Sequence, residues 1–163
     1  MTQFFPNHPG FVHFPLGLLV GAFFFELVAL VFRRPALHDV GRACLFLGTA
    51  AALVAVATGL WGERLVEPKP PALDALVDRH ETLAFVTASL AVVLSMWRVA
   101  MRKSYAGGRR VAFVAGLAVL AAAVLYTGHV GGKMVYDHGA AVTVGQRSFA
   151  PHRAPAPAPP AKP

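Results

Sequence analysis

The chain has few charged residues. Only 14% of its 163 residues are Asp, Glu, Lys or Arg, whereas 56% are hydrophobic. Soluble domains carry about 25% charged residues, so this composition argues against a water-soluble protein and favours one that lies in a lipid bilayer. Because a spanning helix needs about 20 apolar residues, the length allows four spans joined by short connections.

Cysteine is almost absent too, since Cys44 is the single one. This excludes an intrachain disulfide, and no CxxCH motif for covalent haem attachment is present. Any haem would therefore be held by coordination alone. The signatures of serine hydrolases, phosphate-binding loops, HExxH metalloproteases and dinucleotide-binding domains are missing as well. The sequence thus favours an electron-transfer protein or a complex subunit over a stand-alone enzyme.

Four long apolar runs are present, and they predict an all-α, integral membrane four-helix bundle. The predicted spans are residues 11–32, 40–61, 82–101 and 111–130. Together they form one transmembrane domain, residues 1–149, and we expect the Pro- and Ala-rich residues 150–163 to be a disordered tail.

A short repeat links the two halves of the chain. Residues 58–62, TGLWG, end the second span, and residues 127–131, TGHVG, end the fourth. This pattern suggests two helical hairpins related by a pseudo-twofold axis along the membrane normal.

The basic residues predict the orientation of the spans. The first and third connections with the adjoining span ends hold eight Lys and Arg, whereas the second connection holds three among five acids. Cytoplasmic loops are enriched in Lys and Arg, so we expect both termini on the outer side of a bacterial inner membrane. The basic residues of these loops account for the net charge of +7 and would attract anionic lipid. We therefore expect no nucleic-acid partner.

Most of the seven histidines cluster at the predicted outer ends of the spans. Imidazole is the commonest neutral metal ligand, and ionisable residues within spans are candidates for function. His13 and His129 are our first choice of ligands, with His80 as a replacement for either. The full set of candidate metal ligands is His8, His13, His80, His129 and His138.

Glycines accompany the two favoured histidines. Gly17 and Gly21 follow His13 on the same helical face, and Gly128 and Gly132 flank His129 with GxxxG spacing. Such faces allow close packing of helices, or they leave room for a flat macrocycle. In the second case the two histidines would be the axial ligands of a b-type haem.

One acidic residue lies well inside the first predicted span. Glu26 follows Phe23-Phe24-Phe25, about a turn and a half from the cytoplasmic end. A carboxylate in hydrocarbon should be neutral or paired, and Arg98 is within reach from the third span. We interpret it as one member of a structural ion pair rather than a proton site.

Two stretches together resemble a bacterial four-helix membrane family catalogued as domain of unknown function 2231. One is His8–Pro15, HPGFVHFP, and the other is Thr127–Gly139, TGHVGGKMVYDHG. The resemblance covers about residues 6–145. It implies that His8, His13, His129 and His138 are motif histidines and that His80 is the usual histidine opening the third span. Some members are joined to or encoded beside c-type cytochromes, which implies a respiratory role, and the layout is similar to four-helix b-type cytochromes.

We therefore expect a haem b protein that transfers electrons between a quinol or membrane redox partner and a periplasmic acceptor. A c-type cytochrome or another respiratory subunit is the expected protein partner. Two alternatives stay open at this point. One is a non-haem site for copper, zinc or iron built from the same histidines, and the other is a structural subunit of a larger membrane complex.

Overall fold

The chain folds into four long helices preceded by one short helix. A computed structural model describes residues 8–63, 71–101 and 107–140. Its helices are α1 (His8–Phe11), α2 (His13–Val31), α3 (Pro35–Glu63), α4 (Pro71–Ala100) and α5 (Gly108–His138). The described ranges contain no strand. The four long helices are all long and apolar enough to cross a membrane, which confirms the predicted all-α membrane bundle.

The helices extend further than the apolar runs. Helix α4 begins at Pro71, 11 residues before the predicted span 82–101, and α5 continues to His138, eight residues beyond the predicted span 111–130. Hydropathy marks only the part of a helix that suits hydrocarbon, whereas backbone hydrogen bonding continues until a residue stops it. Proline suits the first turn of a helix. At the other end, Gly139 takes a left-handed conformation with φ of 64° and donates to Val135 O at 3.0 Å.

The four long helices form a closed ring in which α2 packs on α3 and α5, and α4 packs on α3 and α5. In each helical hairpin, α2–α3 and α4–α5, a leucine of the first helix lies against a glycine of the second. A Cβ atom at Gly48 would come within 2.8 Å of Leu19 Cδ2, and one at Gly116 within 2.9 Å of Leu94 Cδ2. Small residues at such crossings let membrane helices approach closely.

The buried core between the helices is apolar, whereas many large hydrophobic side chains point outward, as expected for a lipid-facing surface. The fully buried large side chains are Phe113, Leu19, Leu45, Leu117, Leu120 and Glu26.

The ring has two ends that differ in chemistry. The histidine end, as we call it, contains α1, the last turns of α3 and α5, and His80 of α4. The opposite end, called the hairpin end, contains the α2–α3 turn, the last turn of α4 and the start of α5. The tail and the connection around residues 64–70 lie outside the described residues.

Candidate functional site: a histidine pair

Two histidines from different hairpins lie next to one another at the histidine end. His8 lies on α1, which packs against α3 and α2, and His80 lies within α4. Their ring centres are 6.4 Å apart, and the ring planes are nearly perpendicular at 82°. Both side chains are partly buried. The fold thus brings together residues that are 72 positions apart in the chain.

A threonine hydroxyl fixes the tautomer of His8. Nδ1 of His8 lies 3.1 Å from Thr58 Oγ1, and that hydroxyl donates to Ala55 O at 3.0 Å. A hydroxyl has one proton and a carbonyl has none, so both contacts are satisfied only when His8 Nδ1 donates. Burial and the charge of nearby His80 lower the pKa of His8 from its usual value. In the resulting neutral imidazole the Nε2 atom holds a free lone pair.

A backbone carbonyl fixes the tautomer of His80. Its Nδ1 donates to Thr127 O at 3.2 Å, because the carbonyl can only accept. The Thr127 hydroxyl donates to Ala123 O at 2.8 Å and receives a hydrogen bond from Thr87 Oγ1 at 3.0 Å. Neutral His80 therefore also has its lone pair on Nε2. Metal-binding histidines are held in this way, with the second ring nitrogen donating to a carbonyl or another acceptor.

A glycine makes room for each ring. A Cβ atom at Gly59 would lie 3.1 Å from Cε1 of His8, and one at Gly131 would lie 3.1 Å from Cε1 of His80. Both distances are shorter than ordinary van der Waals contact, which begins at 3.4 Å. The positions of the two imidazoles therefore depend on the glycines, and each hairpin supplies one ring, one anchor and one glycine.

The two histidines favoured from the sequence lie elsewhere on the bundle. His13 is exposed near the start of α2. His129 is exposed on α5 and stacks on Tyr126, with 6.5 Å between ring centres and 23° between ring planes. Arg79 donates to the Tyr126 hydroxyl and lies over its ring. His138 is exposed at the last position of α5.

The glycines chosen from the sequence have other neighbours. A Cβ atom at Gly21 would meet Cys44 Sγ at 3.8 Å, and one at Gly128 would meet Leu16 Cδ1 at 3.0 Å. Gly132 has only Tyr136 within 4 Å, and Gly17 has nothing within that distance. Gly21 and Gly128 therefore serve helix packing in this structure, whereas the glycines beside imidazoles are Gly59 and Gly131.

The spacing of the paired rings suits one metal ion between them. Metal–imidazole bonds are about 2.0–2.1 Å long, so two imidazoles on opposite sides of one ion hold their ring centres about 6–6.5 Å apart. Among the described residues no three His, Cys, Asp or Glu are grouped to hold a metal. A two-histidine set is complete for haem, whose porphyrin supplies the four other ligands, but leaves a bare zinc or copper ion short of protein ligands.

Comparison with known proteins identifies a family of membrane proteins. A family model described as "Predicted membrane protein (DUF2231)" matches residues 5–144, which include all five helices and both histidines of the pair. No curated protein and no solved structure matches the chain. The family description states no ligand, reaction or partner.

Proposed function

Since the chain belongs to the DUF2231 family of predicted membrane proteins, whose description names no activity, we propose a function from the geometry of the site. The protein binds haem b and transfers electrons between a quinol or another membrane redox partner and an acceptor on the outer side of the membrane. The observation that carries this proposal is the pair His8 and His80, with ring centres 6.4 Å apart and both Nδ1 atoms engaged as donors.

His8 and His80 would hold the haem iron through their Nε2 atoms. Thr58 Oγ1 and Thr127 O would hold the rings in place as they accept from Nδ1 and raise the basicity of the ligating nitrogens. Bound haem would supply one-electron redox chemistry, which suits electron transfer.

The side of the membrane follows from charge. The connections and adjoining helix ends at the hairpin end contain eight Lys and Arg, and such basic regions favour the cytoplasm. The histidine pair would then lie near the outer surface of a bacterial inner membrane, where a c-type cytochrome or another respiratory subunit has access. The quinol partner is a proposal of the same kind and rests on the membrane setting of the bundle.

The first test is the reduced-minus-oxidised absorption spectrum of the full chain, purified after expression with sufficient haem. We expect a b-type spectrum that is lost in His8→Ala and His80→Ala and kept in His13→Ala and His129→Ala. The reverse pattern would assign the ligands to His13 and His129, as the sequence suggested. A spectrum without a Soret band would refute haem binding by this protein.

Elemental analysis of the same samples separates the remaining alternatives. Copper, zinc or iron without porphyrin would favour a non-haem site, and the His8→Ala and His80→Ala variants would show whether the pair holds it. Protein without metal or porphyrin that copurifies with larger subunits would favour a structural role in a complex.

A further inference from the structure

A second pair of titratable groups is buried at the hairpin end, far from the histidine pair. His38 Nδ1 lies 2.6 Å from Glu26 Oε2, joining α3 to α2. The Glu26 side chain is 1% exposed and that of His38 is 15% exposed. Glu26 lies 18 residues after His8, which along helices corresponds to about 27 Å. The pair therefore stands apart from the proposed haem site.

The helix packing is built around this carboxyl group. A Cβ atom at Gly41 would come within 2.7 Å of Glu26 Cγ and 3.3 Å of Glu26 N, so α3 passes Glu26 without a side chain at this position. Gly41 lies three residues after His38, on the same face of α3. Thus one helical face offers both the room for the carboxyl group and its hydrogen-bond partner.

The chemistry of the pair favours the binding of one proton. With one proton, the pair is a carboxylic acid beside a neutral imidazole, or a carboxylate beside an imidazolium, and its net charge is zero in both forms. A second proton would give a net charge of +1, and loss of the proton would give −1. Either charge is costly in surroundings of low dielectric constant, unless neighbouring charges compensate for it.

The charged residues at this end of the bundle are mostly cations, and nearby cations disfavour a second proton on the pair. Arg98 of α4 is only 7% exposed and belongs to the same end of the bundle, as does Arg110 of α5. Asp39 is the acidic neighbour, and it is exposed and paired with Arg42 at 2.9 Å. The other cations of the described residues at this end are Arg33, Arg34 and Arg109.

We propose that Glu26 and His38 form a proton-binding site that alternates between one bound proton and none. The proton enters and leaves at the hairpin end through His38, the more exposed member of the pair. Chains of Asp, Glu and His inside membrane segments mark proton relays in other membrane proteins. This site binds its proton whether or not the histidine pair binds haem.

The test follows each member of the pair by NMR, with the full chain in lipid nanodiscs and with labelled glutamate and histidine. The chain has four glutamates, so Glu26→Gln assigns the Glu26 carboxyl signal and His38→Gln assigns the His38 ring. Between about pH 4 and about pH 10, a range that brackets free Glu and His, we expect the two signals to change together. The pH midpoint that the two signals share is a property of the pair and is not assigned to either residue alone.

Variants and a control make the outcome decisive. Removal of either partner should shift the midpoint of the other, whereas Asp39→Asn, a change beside His38 in an exposed ion pair, should leave the midpoint of the pair unchanged. Signals that stay constant over the whole range would show a permanent structural pair and overturn the proposal. Two separate midpoints in the wild-type chain would overturn it too. Since the measurement needs no cofactor, its outcome is independent of the haem spectrum.

Discussion

The contact between Gly131 and His80 gives the sharpest prediction, because an adjacent glycine serves as a control. Alanine at either position of the α5 pair Gly131-Gly132 should gain up to about 1 kcal/mol of helix propensity. At Gly132 the nearest atom, Tyr136 Cδ2, is 4.0 Å from the added Cβ, so the gain should be kept. At Gly131 the added Cβ lies 3.1 Å from His80 Cε1 and 3.4 Å from its Nδ1, so the ring must move.

The cost of that movement can be worked out from the contacts of the ring. A side chain forced about 30° from its rotamer loses about 0.5–1.5 kcal/mol, and a lost hydrogen bond costs about 0.5–1.5 kcal/mol. The His80–Thr127 bond is already 3.2 Å long, so displacement weakens it readily. We expect Gly131→Ala to be about 1–3 kcal/mol less stable than Gly132→Ala.

The assay is reversible unfolding of the two variants in the same detergent, followed by circular dichroism, together with haem retention in a titration. Disturbing a partner of a metal-binding histidine costs about 10- to 100-fold in affinity, so Gly131→Ala should lose haem by that factor and Gly132→Ala should not. Equal stability and equal haem retention in the two variants would refute the packing of His80 against Gly131.

Four further predictions concern the same end of the bundle. Thr58→Val removes the acceptor of His8 Nδ1 and should weaken haem binding about 10- to 100-fold. Thr127→Val keeps the carbonyl that holds His80 and should cost about 1–3 kcal/mol through Thr87 with little loss of haem; equal haem loss in both would contradict the assigned anchors. The oxidised haem protein should give the strongly anisotropic low-spin signal of perpendicular axial imidazoles in electron paramagnetic resonance, since the rings are 82° apart, and a rhombic signal typical of parallel rings would argue against this geometry. Finally, because the pKa of His8 is lowered in the folded chain, the unfolded chain takes up a proton on His8 first, near about pH 6.5. The free energy of unfolding of the haem-free protein should therefore fall as pH decreases below that value. This decrease should be smaller in His8→Gln.

The bundle could be predicted from the sequence because hydropathy depends only on the order of residues along the chain. Four apolar runs are enough to predict four helices, and the structure confirms them. Their ends were harder to predict. Residues 71–79 carry three charged side chains, yet they belong to α4, and Gly131 and Gly132 do not interrupt α5. Contact of Gly131 with His80 explains why a poor helix former lies within that helix.

The histidine pair was harder to predict than the fold, because a position along a helix does not fix direction around the helix axis. His13 and His129 lie toward the same end of the bundle as the pair, but both are exposed. His8 lies on a separate short helix whose packing against α3 could not be read from periodicity. One signal was available in the repeat TGLWG and TGHVG, because Thr58 and Thr127 at its first position hold the two paired histidines.

The buried carboxyl shows a similar limit. A charge inside a span predicts a partner, and in the structure His38 Nδ1 lies 2.6 Å from Glu26 Oε2. The sequence pointed to Arg98, which is buried at the same end of the bundle, and did not point to His38. His38 is 12 positions away across the tight α2–α3 turn. The decisive feature is Gly41, which lets α3 approach close enough for His38 to reach the carboxyl group.

The division of the histidine pair between the two hairpins has a consequence for assembly. Membrane helices first insert and then associate side by side, and each hairpin carries its own anchored imidazole before it meets the other. A group that needs both rings can bind only to the joined halves, so it stabilises them by mass action. Coexpression of the two hairpins as separate chains should therefore yield a complex whose lifetime increases with haem supply.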